Sequence, residues 1–315
     1  MSETRDTLLL SGALVLGVVL SLLVPLIGLP LAATGAAGLT YRGRVLAAAI
    51  SAAVGIAAVG IIDIGSVIFV APAVIAVMLA AVLLSRVEAQ WVGAMLTTVL
   101  TVAGAASEYV ILMAQGQSLA TQLSTQVNQA IAADSQLAGA SASSQSMREA
   151  ANLTLQLIPT WFFVSGLVIA VAVIVALAWA AKRSGRTVRV PKLSQLDLTP
   201  HVLWPFVAGL FALAASHASI ANAQAWGVVG LNLVCCAAAV FTLQGLGVSA
   251  GVLDRTRVGL GGRILAWAAL AVLDVFSVWT FLPFVGLLDF WINFRRLPRD
   301  GVTPQSPTTA MSDRL

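Results

Sequence analysis

Long apolar runs separated by short polar corners set the pattern of this chain. Eight runs stand out, at 8–41, 45–62, 65–85, 91–113, 157–181, 201–220, 226–250 and 264–294. A helix rises ~1.5 Å per residue, so about 20 apolar residues cross the ~30 Å hydrocarbon core of a bilayer. The pattern therefore predicts an all-α fold, a polytopic transmembrane helical bundle of 8–10 membrane segments. The first and last runs, 34 and 31 residues long, are excessive for one crossing. Pro25, Gly28 and Pro30 punctuate the first, and Pro283 and Gly286 the last, so each is expected to fold as two helices.

The basic residues support that folding back. If both end runs return to their starting side, sixteen of the 17 Lys and Arg residues share one face of the membrane, with Arg148 alone opposite. Lys and Arg gather on the cytoplasmic side. The expected topology is multi-pass in the bacterial cytoplasmic (inner) membrane, with both termini cytoplasmic. The run from Leu8 to Leu29 exceeds a 7–15-residue signal-peptide core and only Arg5 precedes it, so it is expected to remain as an anchor.

One polar connection is long. Residues 114–156 are rich in Gln, Ser and Ala, and Leu119, Leu123, Val127 and Ile131 recur every four residues. This spacing predicts a narrow amphipathic helix. "GASASSQS" then serves as a turn, and a second helix from Ser146 runs toward the span near Leu157. The expected organisation is a single integral membrane domain over 1–296, including an extracytoplasmic polar hairpin at 114–156, followed by a disordered cytoplasmic tail at 297–315.

Composition agrees. Hydrophobic residues make up 59% of the 315 and charged ones 10%, with mean hydropathy +0.96. Soluble domains carry about 25% charged residues, so a water-soluble globule is excluded. The pI near 9.7 reflects topology clusters rather than a nucleic-acid surface. The partners expected are membrane lipid and membrane proteins meeting small-residue helix faces, such as the repeat of Ala49, Ala53 and Ala57. Cys235 and Cys236 are adjacent in one span, which suits neither a disulfide nor a metal site, and they read as small apolar residues.

Ionisable side chains inside spans cost about 2.5–3.5 kcal/mol each, which makes them functional candidates. Glu108 lies near the outer end of its span, and Asp274 lies deep, with no charge partner within a turn. Asn232 and Gln244, twelve residues apart in one span, are placed to line a polar track, and His217 sits at an outer end. These five are the candidate substrate- or ion-binding residues. Asp289, Asn293 and Arg296 follow at i, i+4 and i+7, a spacing that shares one helical face and predicts a structural clasp. Arg42 and Arg44 offer Asp289 an alternative partner. No phosphate loop, HExxH or GxSxG occurs, so no catalytic residue, metal or cofactor is expected.

Three stretches carry a resemblance. "LLVPLIGLPLAATGAAGLTYRGRVLAAAI" has a proline-punctuated entry and a basic corner. "LNLVCCAAAVFTLQGLGVSAGVLDR" at 231–255 has an early Asn and a later Gln-Gly pair, and "GLLDFWINFRR" ends the membrane part. Together, over roughly residues 8 to 296, they resemble the YybS-like family of predicted bacterial membrane proteins, domain of unknown function 2232. The resemblance implies no assigned activity. The N-terminal part is also similar to the substrate-capturing subunits of energy-coupling factor transporters. That similarity implies six helices, capture of a small molecule and a cytoplasmic ATPase partner, whereas this chain has more spans and a long outer hairpin.

Two functions follow as expectations. The first is a small-molecule transporter, or its membrane substrate-binding component, with an unknown substrate. The alternative is a structural or assembly scaffold of the cell envelope without transport. A cavity lined by Glu108, Asp274 or Asn232 favours transport, and the same residues pairing helix to helix favour the scaffold.

Overall fold

The computed structural model describes residues 2–116, 141–188, 190–218, 222–256, 259–277, 280–295 and 297, with 118, 121, 125 and 129. Eleven helices are present among the described residues: α1 Ser2–Leu20, α2 Pro25–Tyr41, α3 Val45–Ile62, α4 Val67–Leu83, α5 Ala89–Ala114, α6 Ser141–Gln156, α7 Ile158–Arg183, α8 Leu203–Ser216, α9 Ala223–Arg255, α10 Leu260–Phe276 and α11 Phe281–Ile292. There is no strand among them, so the fold is all-α. The expected helix through Leu119, Leu123, Val127 and Ile131 and the tail at 298–315 lie outside the described residues. The second hairpin helix starts at Ser141, five residues before the expected Ser146, and only Leu157 separates it from α7.

Four helices, α3, α5, α7 and α9, are long and apolar enough to cross a bilayer. A fifth candidate is the α10–α11 pair, bent by 103° at its break. Val67–Leu83 and Pro200–Ser216 are apolar but shorter. Against the 8–10 segments expected from the sequence, the described residues thus hold four to five full-length candidates and two shorter apolar helices.

Each terminal run is indeed two helices; Pro25 marks the first break, whereas Pro30 and Pro283 lie inside helices. The first falls at 21–24, with Pro25 opening α2 at a position whose N–H needs no intrahelical partner. Pro30 lies inside α2, which continues through it. The last break falls at 277–280, ahead of Pro283, which occupies the tolerant first turn of α11.

Contacts divide the chain into two compact units, Met1–Val190 with Trp204–Cys236, and Pro191–Leu203 with Ala237–Leu315. In the first unit α2 is central, packing against α1, α3, α4 and α7. Its residues Ala32, Ala33 and Gly35–Leu39 are all buried. Glycine makes the α1–α2 hairpin possible. A Cβ on Gly17 would collide with the backbone of Ala32, one on Gly28 with Ser21, and one on Gly35 would lie 2.7 Å from the Leu14 nitrogen. Those pairs run in opposite directions along the two helices, so the hairpin is antiparallel.

At its open end Arg42 pairs with Asp6 at 3.0 Å and Arg44 pairs with Glu3, so the basic corner has its own acids. In α3 the packed face is Ala48, Ser51, Ala52, Gly55 and Val59, whereas Ala49, Ala53 and Ala57 are exposed. Between α3 and α4, Asp63 accepts hydrogen bonds from Ser66 Oγ and from the Gly65 N–H at 3.0 Å. These hold its carboxyl below the usual range.

The second unit joins the later turns of α9 to α10, α11 and the segment 191–203. Here Gly245 and Gly286 let α9 and α11 touch backbone to backbone, since a Cβ on Gly286 would strike the Phe241 carbonyl and one on Gly245 the Leu282 carbonyl. Phe241 and Phe290 meet edge to face with centroids 5.9 Å apart.

Candidate functional site

Residue 289 is the last acid before α11 ends, and the way α11 ends decides what it meets. Asn293 caps the helix in the left-handed conformation, φ 47°, a conformation Asn adopts more readily than most residues. Its side-chain amide donates to the Leu297 carbonyl at 2.9 Å, and its Oδ1 accepts the Leu297 N–H at 3.0 Å. The chain thereby turns back. Helical spacing stops at Ile292, so Asn293 leaves the helical face that carries Asp289. Arg296 lies outside the described residues, and Arg295 is the arginine that returns to Asp289.

Asp289 and Arg295 are both closed to solvent, at 0% and 4% exposure. Arg295 Nη2 donates to Asp289 Oδ2 at 2.7 Å, and the Phe294 N–H donates to Oδ1 at 2.9 Å. Gln244, fully buried on α9, donates Nε2 to Asp289 Oδ2 at 2.9 Å and to Asp197 Oδ1 at 3.2 Å. The Gln244 Oε1 accepts the Leu198 N–H at 3.2 Å, so one amide holds α11 and the 191–203 segment together. Arg295 also reaches the Leu196 carbonyl through Nη1 and lies 3.6 Å from Asp197. Two glycines give it room, since a Cβ on Gly251 would lie 3.0 Å from Arg295 Cγ and one on Gly247 would lie 3.1 Å from Arg295 Nη1. Arg255, ending α9, donates to the Phe294 carbonyl at 3.1 Å and to the Arg295 carbonyl.

Asp274 is 6% exposed near the end of α10. Its Oδ1 accepts the Leu282 N–H at 2.9 Å, across the break, at the start of α11. The first N–H groups of a helix lack internal acceptors and favour negative charge, so this carboxylate caps α11. Its burial is thereby matched to a donor, with no cavity needed.

Asn232 does the corresponding work in the first unit. Its Oδ1 accepts the Thr160 N–H at 3.1 Å and the Thr160 hydroxyl at 2.7 Å, at the first turn of α7. Its Nδ2 donates to the Gln156 carbonyl at 2.6 Å, the last of α6, and to Val228 on its own helix at 2.8 Å. One side chain satisfies orphan groups on both sides of the α6–α7 junction. Asn232 and Gln244 therefore bond to different elements.

The two remaining candidates are less enclosed. Glu108 is partly buried on α5, six residues before its end, and His217 is exposed just after α8. Sequence reasoning missed Asp197, Arg295, Thr160, Gly247 and Gly251. The four-residue spacing of Gly247 and Gly251 on α9 is the one signal that a side chain lies across that face. A hollow of about 270 Å³ opens beside Arg295, between the 191–203 segment and the last turn of α9.

Against known proteins, residues 9–290 match the model of the family described as Predicted membrane protein (DUF2232). No curated protein and no solved structure matches the chain.

Proposed function

Starting from a chain that belongs to the DUF2232 family of predicted membrane proteins, we propose that it is a structural or assembly scaffold of the bacterial cell envelope. The observation that carries this reading is where the buried polar side chains are spent. Asp274 caps α11, Asp289 and Gln244 lock α11 to α9 and to Asp197, and Asn232 locks the α6–α7 junction to α9. A carrier keeps such groups available for cargo or a coupling ion, whereas each of these serves another helix of the chain. Partners meet it within the bilayer, where the exposed Ala49, Ala53 and Ala57 of α3 admit the close approach of a further helix. The protein acts without catalysis, in the cytoplasmic membrane, with both termini on the Lys- and Arg-rich cytoplasmic side.

A second reading, a small-molecule transporter or its substrate-binding component, has one observation in its favour. The α10–α11 pair is bent by 103° at a break, and discontinuous helices frame binding sites in many transporters. Gentle purification from native membranes, with mass spectrometry of everything retained, separates the two. The scaffold reading expects membrane or envelope proteins at fixed stoichiometry. A retained small molecule or an ATPase pair overturns it in favour of transport.

A further inference from the structure

We propose that the hollow beside Arg295 is a binding site for a phosphate-bearing anion, and that the phosphate of an anionic lipid headgroup is its ligand. The inference goes beyond the scaffold reading and does not depend on it.

The lining carries the argument. Lys192, Ser194 and Gln195 form one side, and Arg255 and Asp254 the other. Among the described residues, the Lys192 ammonium has no carboxylate within ion-pair distance, and the Ser194 and Gln195 side chains make no hydrogen bond. Three residues with side-chain donors thus line the hollow without an acceptor among the described residues. Arg255 is fixed in place by the Phe294 and Arg295 carbonyls, and a guanidinium has five N–H donors, so it retains some for a ligand. Asp254, the one acid of the lining, lies 3.5 Å from Arg263, which offsets its charge. Arg295, which also lines the hollow, keeps a buried Nε–H with no acceptor among the described residues.

Size and surroundings select the ligand class. About 270 Å³ falls just below the ~300–1,000 Å³ of small-molecule pockets, which suits a headgroup rather than an extended molecule. Phosphate oxygens accept from Lys, Arg, Ser and amide donors together. Basic pockets at the cytoplasmic ends of membrane helices take anionic headgroups. The neighbouring apolar side chains Leu193 and Val252 are 43% and 47% exposed, placed to meet an acyl chain.

The test uses the full-length protein in neutral detergent, with thermal unfolding read while short-chain phosphatidylglycerol, phosphatidylcholine or inorganic phosphate is titrated. The expected result is protection by phosphatidylglycerol at concentrations where phosphatidylcholine gives none. Lys192→Glu should weaken that protection at least tenfold, and Ser194→Ala should weaken it several-fold. Lys192 is exposed, so neither its replacement nor the control Lys182→Glu should disturb folding. Protection by inorganic phosphate at equal potency, lost in Lys192→Glu, would keep the anion site and make its ligand a soluble phosphate. Equal protection by both lipids, protection by no anion, or full protection of Lys192→Glu would overturn the proposal.

Discussion

Arg295 returns to within 2.7 Å of Asp289, three residues beyond the end of the helix that carries the acid, and both side chains are sealed from solvent. An ion pair so enclosed holds only when both charges stay and their remaining hydrogen-bonding groups find partners. Gln244, the Phe294 N–H and the Leu196 carbonyl supply most of those partners. The pair therefore reports on how the second unit is held together, and similar reasoning applies to the other buried polar residues.

Asp274 should tolerate Asn. The amide oxygen of Asn can accept the Leu282 N–H as the carboxylate does, and both residues are good caps. Asp274→Leu removes the acceptor and should cost about 1–2 kcal/mol. The check is the melting temperature of the two variants in detergent. Equal damage from Asn and Leu would show that the charge itself is needed, as at an ion site.

Asn232→Ala should loosen the α6–α7 junction. It strands the Gln156 carbonyl and the Thr160 N–H, a loss of about 1–3 kcal/mol for groups left unsatisfied. Limited proteolysis between 141 and 160 is the measurement, and cleavage should be faster in the variant while the rest of the chain resists.

Gly28→Val should prevent the α1–α2 hairpin from closing. Its Cβ would meet the Ser21 backbone, which cannot move aside as a flexible side chain does. Loss of monodisperse protein on size exclusion is expected. Gly12→Val, where a Cβ meets nothing within 4 Å, is the matched control.

Much of the architecture was legible in hydropathy, and the reasons for the misses are physical. The run 45–62 and helix α3, Val45–Ile62, coincide, because polar corners at Arg42–Arg44 and Asp63 bound an uninterrupted apolar stretch. The face of α3 that packs was not legible. Ala48 and Ala52 are buried while Ala49 and Ala53 are exposed, and an all-apolar helix has no polar side to set its rotation. Proline misled at Pro30 and Pro283, where helix context absorbs it. Asp289, Gln244, Asn232 and Asp274 were found from the sequence because polar atoms in an apolar run are conspicuous. Their partners were not, since Asp197 and Thr160 lie 47 and 72 residues away from Gln244 and Asn232. The return of Arg295 to Asp289 was not legible because the left-handed turn at Asn293 is written in one residue of an otherwise apolar end.

The orientation is tested by cysteine labelling in intact cells. Glu149→Cys should react with a membrane-impermeant maleimide from outside, and Lys182→Cys only after the membrane is opened. The reverse pattern would invert the topology.

The measurement that bears most directly on the central claim, that the buried polar residues hold the chain rather than serve cargo, is a double-mutant cycle at Asp289 and Arg295. Asp289→Asn, Arg295→Met and the double variant would be compared for stability in detergent. Each single change should cost up to about 3–5 kcal/mol by breaking the buried pair, with Asp197 or Gln244 left to offset part of the remaining charge. The double variant should cost clearly less than their sum, with a coupling of about 1–3 kcal/mol. Additive losses, or an Asp289→Asn protein as stable as the parent, would contradict the account and return Asp289 to the candidates for binding.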